Sequence, residues 1–202
     1  MVHSNKTINA IQMIARLIID EASRAFSKMI RQGVSIEMQN AYFDDISNVT
    51  AKICNEYNEY KGSVGAIVDL TGDVKLKFLF MTDLSTAQIL TDLLLRRQTG
   101  TTKEYDINVE STVQEIGNVL SCIVANMLVN DFQISMTPSV PVVLRDFAGT
   151  IFAEFIRDVA DERQEALVVE SRFLLSNQKM KCHMFIMPVG ESEQILQYLT
   201  FS

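Results

Sequence analysis

The feature that most constrains this chain is that it repeats itself. Ala87-Gln88-Ile89-Leu90 follows the strand-like run Lys75–Met81, and Glu193-Gln194-Ile195-Leu196 follows the strand-like run Met180–Met187. The same order of elements is read around both: helix, strand, helix, strand, strand, helix. An internal repeat of about a hundred residues is the simplest account. A hairpin from either copy alone leaves open edges, so the two are expected to pair into one mainly antiparallel sheet with helices packed on it. The expected fold is α/β (α+β), a pseudo-symmetric duplication within a single domain over 1–202. The first repeat covers about 6–98 and the second about 106–200.

Periodicity fills in the copies. In the first, apolar residues at helical spacing (Ile11, Ile14, Ile18, Ala22, Ala25, Met29) predict a helix over Thr7–Gln32 that stops at Gly33. A strand over Val34–Phe43 and a helix over Asp44–Glu56 follow. Ser63–Leu70 and Val74–Met81 form a hairpin turning at Thr71, Gly72 and Asp73, and Leu84–Arg97 is a helix. The alternation of Lys75 and Lys77 with apolar neighbours predicts a sheet with one wet face. After a polar joint at Gln98–Tyr105, the second copy gives a helix to Asn130, an extended piece over Ile134–Leu144 and a helix over Phe147–Ala160. Strands over Ala166–Leu175 and Lys179–Met187 turn at Ser176 and Asn177, and a helix covers Glu191–Thr200.

The helix that opens the second copy carries the functional signal. Val109, Val113, Ile116, Leu120, Val124 and Met127 fall on one side, and Ser111, Glu115, Asn118 and Cys122 on the other. Glu115 and Asn118, three residues apart, can reach the same external group. Glu and Asn so placed are by themselves ordinary solvated residues. The text around them separates this helix from that background: Glu115-Ile116-Gly117-Asn118, then Pro138-Ser139-Val140-Pro141 and Asp146-Phe147-Ala148-Gly149. Ser, three residues, Glu, two residues, Asn, twenty-two residues and Pro is similar to the signature of the CheC/CheX/FliY phosphatases of chemotaxis, and the flanking words resemble the second half of CheC.

The resemblance implies an enzyme that removes phosphate from the aspartyl phosphate of a CheY-like response regulator. It gives Asn118 the task of orienting water and Glu115 that of reaching the receiver's lysine, with Ser111 and Pro141 in support. It implies no cofactor in this chain and Mg²⁺ in the partner receiver domain. CheC-like proteins often carry a signature in both halves. Here an offset of 102 residues sets Asn9, Met13, Arg16 and Gln39 where the second copy has Ser111, Glu115, Asn118 and Pro141. The first site is therefore expected to be degenerate, although Ala22–Ile30 still resembles the family's first helix, and Met13 either covers part of a helix pair or meets a partner. With one site lost, binding and restraining the receptor deamidase CheD becomes the alternative function. A flagellar-switch role stands third, because a further switch-binding domain is expected after the phosphatase region and the sequence ends at Ser202.

Composition excludes other classes. A net charge of −7 lacks the concentrated Lys and Arg that a nucleic-acid backbone requires, so no nucleic acid is expected as a partner. Cys54, Cys122 and Cys182 show no metal or redox spacing and suggest reduced thiols, with Cys122 a small half-buried filler. The histidines, His3 and His183, cannot build a triad or a multi-imidazole zinc site. No Gly-rich phosphate loop is present. Asp158, Asp161, Glu162 and Glu165 read as a solvated helix end. With no signal core and no membrane span read in the sequence, a cytoplasmic protein without membrane contact is expected.

Overall fold

A computed structural model describes residues 5–31, 33–56, 62–157, 165–175 and 178–189. In chain order the elements are α1 (Asn5–Ile30), β1 (Val34–Asp45), α2 (Ile46–Glu56), β2 (Ser63–Gly72), β3 (Leu76–Asp83), α3 (Leu84–Leu94), α4 (Ile107–Phe132), β4 (Met136–Pro138), β5 (Val142–Asp146), α5 (Ala148–Ile156), β6 (Glu165–Leu175) and β7 (Gln178–Pro188). The duplication is visible in these bounds: α1 and α4 begin at residues 5 and 107 and end at 30 and 132, and β2 and β6 begin at 63 and 165. The expected helix at 191–200, the turn at 176–177 and Asp158, Asp161 and Glu162 lie outside the described residues. Glu165 opens β6 instead of ending a helix.

Among the described residues the strand pairs are all antiparallel, in the order β1-β6-β7-β3-β2-β4, with β5 also on β2. The two copies meet at the centre, where β3 pairs with β7 from Leu76↔Pro188 to Thr82↔Cys182. Helices cover both faces. On one, α1, α3 and α4 bury Phe26, Leu90, Ile116 and Leu120 against Ala66, Phe78 and Phe80. On the other, α2 and α5 bury Ile53, Phe152 and Phe155 against Leu79, Met81 and Phe185. Being central, β3 is covered on both faces, so the expected wet face of this strand is absent and even Lys77 is buried.

Other departures from the sequence reading have local causes. The hairpin turns at residues 73–75, because Thr71 and Gly72 are held in β2 by pairing with Thr137 and Met136 of β4. The extended piece over 134–144 is broken into β4 and β5, with Pro141 in the interval where it need not supply a ladder N–H. α1 turns out of helix at Arg31, with φ of 57°, before Gly33 is reached. Its core stripe is Ala15, Ile18, Ile19, Ala22, Phe26 and Ile30, rotated from the expected one: Ala25 and Met29 are half-buried, and the side chains of Ile11 and Ile14 lie outside the described set. α3 stops at Leu94, followed by Arg96 at φ 56°.

The joint after α3 is ordered by one carboxylate. Asp92 is fully buried and accepts from the N–H groups of Gly100 (2.7 Å), Thr101 (2.9 Å) and Thr102 (2.9 Å) and from the Thr102 hydroxyl (2.6 Å). Burial alone would raise its pKa, but these donors to the anion prevail and the pKa is lowered. The staple therefore stabilises the fold above the unfolded carboxylate pKa and is lost as pH falls through the folded value. Asp92→Asn sets an amide NH₂ among N–H donors, and at neutral pH its melting temperature is expected to fall by about 5–10 °C, for a cost of roughly 2–3 kcal/mol. The gap between variant and wild type in thermal melts should narrow below pH of about 4, where the unfolded carboxyl protonates.

Candidate functional site

α4 is cut out of the chain by its caps. The Asp106 carboxylate accepts from the N–H groups of Asn108 and Val109, both at 3.0 Å, and at the other end Gln133 turns left-handed with φ of 54° while its N–H reaches the Leu128 carbonyl. Val109, Val113, Ile116 and Leu120 are 0% exposed, and Val124 2%. Met127, expected on the same stripe, is half-buried at its edge. With the apolar face fixed on the sheet, the opposite face is fixed in solvent: Ser111, Glu115 and Asn118 are exposed and Cys122 is half-buried. By length and composition Ile107–Asp131 could cross a membrane, contrary to the sequence expectation, yet half of that apolar window is buried inside the fold, as in a core helix.

Pro141 comes to this helix from behind. It is buried, and a Cβ built on Gly117 would stand 3.7 Å from the proline Cβ. Three elements thus meet beneath the stripe: α4 at Gly117, β2 at Ala66 and the β4–β5 interval at Pro141. On either side of the proline, Val140 is 75% exposed and Val142 59%, an apolar rim that the strand-like letters did not reveal.

The Asn118 carboxamide meets the Cys122 thiol, whose Sγ lies 3.9 Å from Oδ1. Burial, with Glu115 nearby, raises the Cys122 thiol pKa, so it stays protonated at neutral pH and is no candidate nucleophile. The Asn118 main-chain carbonyl accepts from the Ser121 hydroxyl at 3.0 Å, leaving the amide face free toward solvent. A groove of about 420 Å³ between α1 and α4 contains Leu17, Arg24, Ile123 and Met127 and none of Ser111, Glu115, Asn118 or Pro141. The stripe is open to solvent, where a group presented by another macromolecule can reach it.

The matching positions of the first copy do not reproduce this chemistry. Met13 is 65% exposed, so it does not cover a helix pair, and Arg16 is exposed beside it. Gln39 is exposed in a β-bulge between Met38 and Asn40, the counterpart of the interval that holds Pro141. Asn9 lies on α1, its side chain outside the described set. Among the described residues no group of three or more His, Cys, Asp or Glu side chains converges as a metal site. His183 instead meets Glu56, Nε2 to Oε2 3.2 Å, and stacks on Phe185 on the far face of the sheet.

In fold and in this stretch of sequence the chain is similar to the CheC/CheX/FliY proteins of chemotaxis. A stretch of 84 residues, 41% of the chain, is 29% identical to the CheY-P phosphatase CheC of Bacillus subtilis, and the match spans only 40% of that relative's length. The crystal structure of FliY from Thermotoga maritima superposes with a TM-score of 0.80 at 17% identity, covering 99% of this chain and 98% of that one. FliM in the FliG–FliM complex of H. pylori follows with a TM-score of 0.72 at 13% identity, covering 96% and 100%. CheX in its complex with CheY, BeF₃ and Mg²⁺ from Borrelia burgdorferi gives 0.55 at 19% identity, covering 87% and 97%. No family model matches the chain.

Proposed function

We propose that this protein is a phosphatase of a CheY-like response regulator, hydrolysing its aspartyl phosphate with Asn118 and Glu115. The observation that carries the reading is the exposure of both side chains one turn apart on a helix whose other face is buried from Val109 to Val124. An acyl phosphate on a receiver needs a water held in line with the P–O bond to the aspartate, and catalysis of phosphoryl transfer consists largely of such positioning and of stabilising charge on the equatorial oxygens. The Asn118 amide accepts from the water through Oδ1 and donates through Nδ2, holding it without removing its proton. Water oxygen bonds to phosphorus, the bond to the aspartyl oxygen breaks, and carboxylate and inorganic phosphate leave. Glu115 meets the receiver's lysine through a charge-assisted hydrogen bond and fixes register. Ser111 flanks the stripe, and Pro141 supports it from beneath. Mg²⁺ is assigned to the receiver, where it would screen charge on the phosphoryl oxygens, and no cofactor is assigned to this chain. The site works from the cytoplasm, where receivers reside.

A non-catalytic binding role is the second reading, with CheD as the partner that CheC resemblance suggests, or a switch protein as in the FliG–FliM complex. The exposed Met13 and Arg16 on the degenerate face and the fit to FliM favour it. Phosphate release from a phosphorylated receiver, with this protein present in substoichiometric amount, separates the two. Multiple turnovers by wild type and background rates with Asn118→Ala are expected, whereas equal background rates for both proteins would leave only the binding role.

A further inference from the structure

We propose that the Gly117–Ala66 contact sets the distance of α4 from the sheet and that both are positioning residues for Asn118, an inference that rests on the phosphatase reading. A Cβ at position 117 would lie 2.5 Å from the Ala66 Cβ, 3.7 Å from the Pro141 Cβ and 3.9 Å from the Ala66 Cα. Carbon atoms in contact prefer about 3.5–4.0 Å, so a methyl group at 117 demands a retreat of roughly 1 Å. Neither side can yield by rotating. The Ala66 Cβ is fixed to a strand paired on both sides, with Phe80 across to β3 and Val143 across to β5, and Ala66 is 0% exposed.

The displacement therefore passes to the helix, and Asn118 is the next residue along it. A misplacement of about 1 Å in a positioning group can cost on the order of 100-fold in rate. The first copy supplies an internal comparison. α1, with Met13 and Arg16 where α4 has Glu115 and Asn118, carries a buried Ala15 at the position matching Gly117. The copy without the carboxylate and carboxamide thus has the very methyl that α4 has no room for.

The contact predicts a compensating pair. With the Ala66 methyl removed, the nearest neighbours of a methyl at 117 stand at 3.7 and 3.9 Å, ordinary packing distances. Wild type, Asn118→Ala, Gly117→Ala and the double variant A66G/G117A should be compared for kcat, KM and melting temperature on a phosphorylated CheY-like receiver. Gly117→Ala is expected to lose about 10-fold or more in kcat with KM within about threefold, and A66G/G117A to recover to within about threefold of wild type. If Gly117→Ala fails to fold, the double variant alone carries the test through the same recovery. Wild-type kcat in Gly117→Ala, or a folded double variant that turns over no faster than Asn118→Ala, would overturn the positioning role and leave the phosphatase reading standing. Wild type no faster than Asn118→Ala would overturn both.

Discussion

Asn118→Ala is expected to lower phosphate release from a phosphorylated receiver by about 100-fold or more while moving the melting temperature by less than about 2 °C. The two halves of this expectation come from one geometry. The side chain is exposed, its hydrogen bond to Cys122 is long at 3.9 Å, and its helix is held by residues on the opposite face, so truncation removes little packing. What it removes, on the proposed mechanism, is the group that accepts from and donates to a single water at once. Glu115→Ala is the contrasting change on the same stripe: the proposed role is recognition of the receiver's lysine, so the substitution should raise KM more than it lowers kcat.

Val113→Asp is expected to do the reverse. Val113 is 0% exposed, one turn from Val109 and Ile116, which are equally covered, and a carboxylate there would enter an apolar layer. The cost is about 4 kcal/mol or more, a large share of the roughly 5–15 kcal/mol that holds a domain folded. Thermal and urea melts should show loss of the cooperative transition near room temperature, and activity should vanish with the fold. Comparing the two substitutions isolates chemistry from architecture on a single helix.

The parts of this molecule that periodic pattern controls were legible from the letters. The duplication was visible as repeated text and repeated element order, and the two faces of α4 followed from its 3.6-residue spacing because this helix lies flat on the sheet. Pattern failed where a residue's surroundings come from distant segments. Lys77 alternates with apolar residues, yet it is buried because β7 and β2 flank its strand and helices close both faces. The stripe of α1 was misplaced by about one residue, because Ala15 and Phe26 are buried at its centre while Ala25 and Met29 are half-buried, Met29 packing at the core's edge. The break at Pro141 was hidden by the valines around it, although a proline inside a strand-like run is the signal for one.

The candidate site divides in the same way. Ser111, Glu115, Asn118 and Pro141 were singled out as candidates by spacing and flanking text. Gly117 stood in the middle of that text, but its part depends on Ala66, fifty-one positions away and legible only once β2 lies under α4. Asp92 gave no signal either. An acidic residue near the end of a predicted helix looks solvated until the following segment folds back to surround it with three N–H groups and a hydroxyl.

The central claim is that the amide of Asn118 holds water against the phosphorylated aspartate of another protein. A crystal structure of this chain with a receiver loaded with beryllium fluoride and Mg²⁺ tests it most directly. The account predicts α4 seated on the receiver's active site, with the Asn118 carboxamide within hydrogen-bond reach of a water in line with the beryllium–oxygen bond and Glu115 on the receiver's lysine. A complex in which the receiver sits elsewhere and the stripe of Glu115 and Asn118 faces solvent would contradict it.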